Sequence, residues 1–75
     1  MHHNLHSLAH QAANPDFAAL CNLLSFYEPG TEIDVEHCAK VIGIEPTLCA
    51  WFLDTIMETG AVLWQPDPSG FALAA

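Results

Sequence analysis

The stretch that decides the fold is DVEHCAKVIGIEPTLCAWFLDTIMETG, residues 34–60. Apolar residues recur at helical spacing over residues 35–42, and Gly43 is the residue type that most often ends a helix in the left-handed conformation. Pro46 fits the first turn of a further helix, which Gly60 closes. The stretch therefore predicts two helices joined by a tight turn.

Both helices carry an apolar face that we expect to point inward. Asp34 is suited to cap the first of them, because its carboxylate can accept hydrogen bonds from the free N–H groups of a helix start. The expected inward residues are Cys38, Ala39, Val41, Ile42, Leu48, Cys49, Phe52, Leu53, Ile56 and Met57. The remaining positions of the second helix are left to face outward.

A further helix and a short strand precede this pair. Residues 14–16, Asn-Pro-Asp, are typical of a helix start, and the apolar positions from Phe17 to Leu24 recur at helical spacing. Residues 29–30, Pro-Gly, are expected to stop this helix just after Glu28. Residues 31–35 then alternate between polar and apolar, which predicts a short, half-buried strand.

Two β-type runs follow the last helix, at residues 61–65 and 71–74. The cluster PDPSG, residues 66–70, separates them and predicts a hairpin turn. The order is helix, strand, helix, helix, strand, strand. This order predicts an α+β fold with three helices and a small antiparallel sheet.

The first thirteen residues differ in character from the rest, so we divide the chain into an N-terminal arm, residues 1–13, and a folded domain, residues 14–75. In a helical arm, His2, His6 and His10 would share one face at a spacing able to bind a divalent metal. We favour a solvated arm, partly helical or frayed, that holds no metal. No basic segment followed by an apolar core is present, so we expect no secretory signal.

Composition excludes several classes of protein. The chain has 75 residues with nine acidic side chains and one lysine, a formal net charge of −8. Hydrophobic residues make up 52%, too many for a disordered acidic tail, and no apolar run is long enough to span a membrane. Three cysteines without a paired spacing favour free thiols in a reducing compartment. We therefore expect one small cytoplasmic domain that needs no cofactor.

The chain resembles the winged helix-turn-helix superfamily. The resemblance lies in residues 38–44, CAKVIGI, in the slot of the second helix and turn, and in Leu53, Ile56, Gly60 and Val62, which fall where the third helix and following strand keep their core. The closing residues 68–73, PSGFAL, look like a wing tip and its return strand. The resemblance implies a winged-helix fold over most of the chain.

In DNA-binding members of that superfamily, the exposed positions of the third helix enter the major groove. The corresponding positions here are Pro46, Thr47, Ala50, Trp51, Asp54 and Thr55. None of them is basic, and the wing carries Pro66, Asp67 and Pro68 instead of Arg or Lys. DNA binding relies on cations that neutralise phosphates, so we do not expect an isolated monomer to bind DNA.

The same positions favour contact with a protein. Trp51 is a large aromatic in an outward slot with small neighbours, and Trp64 in the hairpin is a second aromatic candidate for a partner-binding surface. The alternative for Trp51 is that its ring folds back onto Phe52 or the wing and completes a small core.

The acidic residues Glu28, Glu32, Asp34 and Glu36 stand close together with no cation between them. Runs of this kind are usually a solvated face, and the functional alternative is an acidic docking segment for a partner with a basic surface. We expect a small regulator, inhibitor or accessory subunit, with a homodimer as an open alternative.

Other functions rest on weaker patterns. No catalytic nucleophile motif, phosphate-binding glycine loop or metalloprotease motif is present, so we do not expect an enzyme. One alternative is a DNA-binding regulator whose missing positive charge comes from a dimer or a basic partner. Another is a metal- or redox-responsive accessory protein using the histidines, Cys21, or a cluster of His37, Cys38 and Cys49.

Overall fold

The computed structural model describes residues 5–67 and 69–74, apart from the side chain of His6. The helices are α1 (Leu5–Gln11), α2 (Pro15–Leu24), α3 (Val35–Ile42) and α4 (Pro46–Met57). The strands are β1 (Glu32–Ile33), β2 (Val62–Pro66) and β3 (Ser69–Leu73). The three helices predicted from the sequence correspond to α2, α3 and α4. No helix in the described part is long and apolar enough to cross a bilayer.

The strands form one antiparallel sheet in the order β1-β3-β2. Phe71 on the central strand lies opposite Ile33 on one side and Trp64 on the other. The short first strand between two helices and the C-terminal hairpin together make an α+β fold with a winged-helix layout. The predicted fold class is therefore confirmed.

Side chains at the helix starts form the predicted caps. The Oδ1 atom of Asn14 accepts hydrogen bonds from the N–H groups of Asp16 at 2.8 Å and Phe17 at 3.3 Å. The carboxylate of Asp34 accepts from the N–H of His37 at 3.1 Å. These bonds satisfy N–H groups that have no partner within the helix. The two helix starts are therefore specified by local sequence.

The helix α2 is shorter than predicted: it ends at Leu24, four residues before Glu28. The hydroxyl of Ser25 donates to the carbonyl of Asn22 at 2.6 Å, and the N–H of Tyr27 bonds to Leu24 three residues back. A serine hydroxyl that bonds to a nearby carbonyl competes with the helical pattern. The chain thus leaves the helix before it reaches Pro29-Gly30.

Two β-elements also have different bounds from those predicted. Only Glu32 and Ile33 form the first strand, because Asp34 already serves as the cap of α3. The hairpin turn is shorter than residues 66–70, since Pro66 pairs with Ser69. A proline without an N–H is tolerated on an edge strand such as β2. Pro68, the predicted first residue of the wing tip, lies outside the described residues.

The core lies between the helices and the inner face of the sheet. Its fully buried members with large side chains include Leu20, Leu24, Leu53, Ile56 and Val62, and α1 adds Leu5, Leu8 and Ala9 at its margin. The prediction that Val41 points inward is wrong: its side chain is 54% exposed. At 3.6 residues per turn, Val41 lies about 100° from the centre of the inward face of α3.

The conformation of Gly43 yields a test of the turn between α3 and α4. Gly43 has φ of 80°, and a Cβ added there would meet nothing within 4 Å. We expect Gly43→Ala to lower the free energy of unfolding by about 1 kcal/mol, because an L-residue is strained in this conformation. Chemical denaturation measures the change.

Gly70 is the matched control, since a Cβ there would also meet nothing within 4 Å and its φ is not positive. We expect Gly70→Ala to leave stability unchanged or slightly raised, because alanine restricts the unfolded chain. Equal losses in the two variants would contradict the assignment of the cost to backbone conformation.

Candidate protein-binding surface

The helix α4 is held by one apolar face, and this determines which residues it presents to solvent. Cys49, Leu53 and Ile56 are fully buried. Beside them, the ring of Phe52 packs edge-to-face on Phe17 with centroids 5.3 Å apart. Residues on the opposite side of a helix must then face outward. We call this outward side, made of Thr47, Trp51, Asp54, Thr55 and Glu58, the α4 face.

Trp51 is the largest side chain on the α4 face and is 68% exposed. Within the described part of the chain, its ring contacts neither another aromatic ring nor a cation. The indole therefore does not fold back onto Phe52 or the hairpin to complete the core. A hydrogen bond of 3.1 Å from the hydroxyl of Thr55 to the carbonyl of Trp51 lies along the same face.

The other predicted positions of α4 are mostly exposed. Pro46, Thr47, Asp54 and Thr55 face solvent, whereas Ala50 is half-buried. The surface around the indole is thus made of small or short side chains. It leaves most of the Trp51 side chain accessible to a partner.

Trp64 lies on a different part of the molecule. It is 54% exposed, and its ring packs edge-to-face on that of Phe71 at 5.2 Å. Phe71 itself is buried, and the Trp51 ring does not touch either of them. Leu63, on the other face of the edge strand β2, is also half-exposed. Among the described residues, only Trp64 of the two predicted tryptophans packs on another aromatic ring, so they do not form one aromatic cluster.

The acidic segment predicted for docking is exposed at all four of its positions, Glu28, Glu32, Asp34 and Glu36. The carboxylate of Asp34 also caps α3, so its first role is structural. In the described part of the chain, the carboxylates of the three glutamates have no hydrogen-bond or ion-pair partner. They present uncompensated negative charge to solvent.

The last turn of α4 combines two negative features. It contains no basic residue, while Asp54 and Glu58 lie at this end. The aligned peptide dipoles already give a helix C-terminus a partial negative charge, so acidic side chains there are unfavourable by roughly 0.3–1 kcal/mol each. Neither carboxylate has a hydrogen-bond or ion-pair partner within the described residues.

The three thiols are free and buried. The hydroxyl of Tyr27 lies 3.6 Å from the sulfur of Cys38, within hydrogen-bonding range. Burial raises the pKa of the Cys21 and Cys49 thiols to about 11 and also raises the pKa of Cys38. The hydrogen bond with Cys38, and then burial, raises the pKa of Tyr27 to about 12. Because the thiolate is the reactive form, these thiols are kept in their unreactive state.

Metal-binding residues are not brought together in the described part of the chain. No group of three or more His, Cys, Asp or Glu side chains there could hold a metal ion. His37 is exposed, whereas Cys38 and Cys49 are buried. His10 is exposed at the end of α1, while His2 and the side chain of His6 lie outside the described residues.

Two features of the surface were not predicted from the sequence. Phe26 is 82% exposed in the turn after α2, and nothing in its spacing signals this, because the helix ends earlier than predicted. Glu58 lies about two helical turns from Trp51 on the same side of α4, a position that the helical period would have revealed.

Comparisons of the chain with protein-family models, with curated proteins and with solved structures find no match.

The buried thiols predict a dependence of stability on alkaline pH. In the unfolded chain a thiol ionises near pH 8.5, whereas Cys21 and Cys49 keep their protons in the folded state up to about pH 11. The unfolded state therefore binds fewer protons across this range, and the free energy of unfolding should fall as the pH rises. Urea denaturation at a series of pH values measures the fall.

A Cys49→Ala variant should show a shallower fall over the same pH range, even though its stability at neutral pH is lower. The comparison uses the slope with pH, so the loss of packing does not affect it. An unchanged slope would contradict the assignment to this thiol.

Proposed function

We propose that this protein is a non-enzymatic protein-interaction module that binds its partner through the α4 face. It would act as a small regulator, an inhibitor or an accessory subunit of a larger assembly. We also propose a cytoplasmic location, where its three free thiols would stay reduced. The observation that carries the proposal is the 68% exposure of Trp51 on a helix whose opposite side is fully buried.

An exposed tryptophan on a rigid helix has the properties of an interface anchor. Tryptophan is enriched among the residues that contribute most to protein–protein affinity, and its large ring loses little conformational freedom on binding. The small side chains of Thr47 and Thr55 on either side leave room for a partner to cover the ring. Trp64 would add contact area where a partner reaches the hairpin.

Electrostatics support a protein partner over a nucleic acid. The α4 face presents Asp54 and Glu58 where DNA-binding winged helices meet phosphates, and the net charge is −8. Each missing cation removes one favourable phosphate contact, and the carboxylates add repulsion. The exposed glutamates at positions 28, 32 and 36 would instead speed the approach of a partner with a basic surface.

Replacement of Trp51 tests this function. We expect Trp51→Ala to change the free energy of unfolding by less than about 0.5 kcal/mol, because exposed side chains contribute little to stability. We expect the same variant to lose its partner in affinity capture from the source cell. Leu63→Ala is the matched control, since Leu63 is also a large exposed apolar side chain, and it should retain the partner.

Two outcomes would argue against this role for the α4 face. Unfolding of Trp51→Ala would show that the indole is needed for folding, and unchanged capture would show that the partner binds elsewhere.

A mobility-shift assay tests the alternative of a DNA-binding regulator. We expect no shift of duplex DNA by the isolated protein even at about 50 mM salt, where phosphate contacts are strongest. Binding at low salt that weakens steeply as salt is added would replace the proposed function with the DNA-binding one.

A further inference from the structure

We propose that the α4 face binds a cationic segment of a protein partner, with an arginine side chain stacked on the indole of Trp51 and paired with the carboxylates of Asp54 and Glu58. This inference rests on the proposed function and names the chemistry that the same face recognises.

The first support is the arrangement along α4. Asp54 lies three residues after Trp51 and Glu58 seven residues after it, so both share the side of the helix on which the indole stands. The helix contains no basic residue, and Lys40, the one lysine of the chain, belongs to α3. No cationic side chain among the described residues pairs with these carboxylates, so the cation that we propose for them comes from another molecule.

The second support is the direction of the helix. The C-terminal end of α4 carries the partial negative charge of the helix dipole, and the two carboxylates stand at this end and not at the N-terminus. This placement reduces the stability of the isolated helix and concentrates negative potential beside the indole. A bound cation would relieve both effects.

The third support is the accessible aromatic ring. The face of an indole attracts cations more strongly than the ring of any other side chain, and arginine can stack on it while its N–H groups bind a carboxylate. In the described part of the chain, no internal cation or ring occupies the Trp51 indole. The ring can thus take the flat face of an arginine guanidinium, and the neighbouring carboxylates can accept hydrogen bonds from its N–H groups.

Charge also discriminates among the occupants of this face. A second copy of the chain would bring another molecule of net charge −8, and its lysine lies on α3 and not on its own α4 face. Nucleic acids and anionic membrane surfaces carry the same sign as the carboxylates. A cationic protein segment is the occupant with complementary charge.

The experiment measures binding of fluorescein-labelled hexa-arginine to the full chain by fluorescence anisotropy at low ionic strength. Hexa-citrulline, which has the same shape without the charge, is the control peptide. We expect hexa-arginine to bind, and hexa-citrulline not to bind. Trp51→Leu, which keeps an apolar side chain but removes the ring, should weaken binding by about fivefold.

Two double variants distinguish binding at the α4 face from non-specific attraction of the cationic peptide to an acidic protein. Asp54→Asn/Glu58→Gln and Glu45→Gln/Asp67→Asn remove the same number of exposed carboxylates from different parts of the surface, and neither Glu45 nor Asp67 belongs to the α4 face or to the acidic docking segment. We expect the first pair to weaken hexa-arginine binding by about fivefold or more and the second pair by less than about twofold. The first pair should not lower stability, since it removes charge from the negative end of a helix.

The results that overturn this proposal differ from those that overturn the proposed function. Equal effects of the two charge pairs, or undiminished binding to Trp51→Leu, would show that hexa-arginine has no site on the α4 face. If Trp51→Ala loses its partner but the unmodified protein does not bind hexa-arginine, the α4 face remains the binding surface and only the cationic nature of the bound segment is overturned. A dimer in sedimentation that Trp51→Leu converts to a monomer would assign the face to a second copy instead.

Discussion

The orientation of α4 about its own axis is the constraint on which the rest of the surface depends. Burial of Cys49, Leu53 and Ile56 leaves one side of the helix inside the protein and turns Trp51 outward. The contact between Phe52 and Phe17 holds the helix against α2 from the side. Because each residue advances about 100° around a helix, a rotation by one position would bury the indole and expose part of the core.

The layout of this protein is one that DNA-binding proteins use, whereas its charge is unfavourable for DNA. Its helices and hairpin follow the arrangement that many proteins use to place a helix in the major groove. The surface on that helix carries carboxylates and an uncharged aromatic ring, and not the cations that DNA requires. A fold positions a surface without determining what the surface binds, so the layout alone does not imply DNA binding.

The sequence predicted most of the fold, because its signals are local. The caps at Asn14 and Asp34 and the glycine at position 43 each depend on a few neighbouring residues. Two predictions failed on local detail that the apolar pattern does not carry. The hydroxyl of Ser25 bonds back to the carbonyl of Asn22 where α2 ends, and Val41 lies off the inward face of α3 although it is apolar. The six outward positions of α4 were predicted from its helical period, and Ala50 alone among those six is half-buried. Whether another element covers the indole of Trp51 could not be predicted, because this depends on how the whole chain packs.

The carboxylates at the C-terminal end of α4 lower the stability of that helix. Asp34 and Asp16 stand at helix starts, where negative charge is favourable, whereas Asp54 and Glu58 stand at a helix end, where it is not. Natural sequences depart from such local rules mainly at functional surfaces. The departure here lies beside Trp51, the more exposed of the two tryptophans. Two independent features, an uncovered aromatic ring and an unfavourable charge, therefore identify the same face of the same helix.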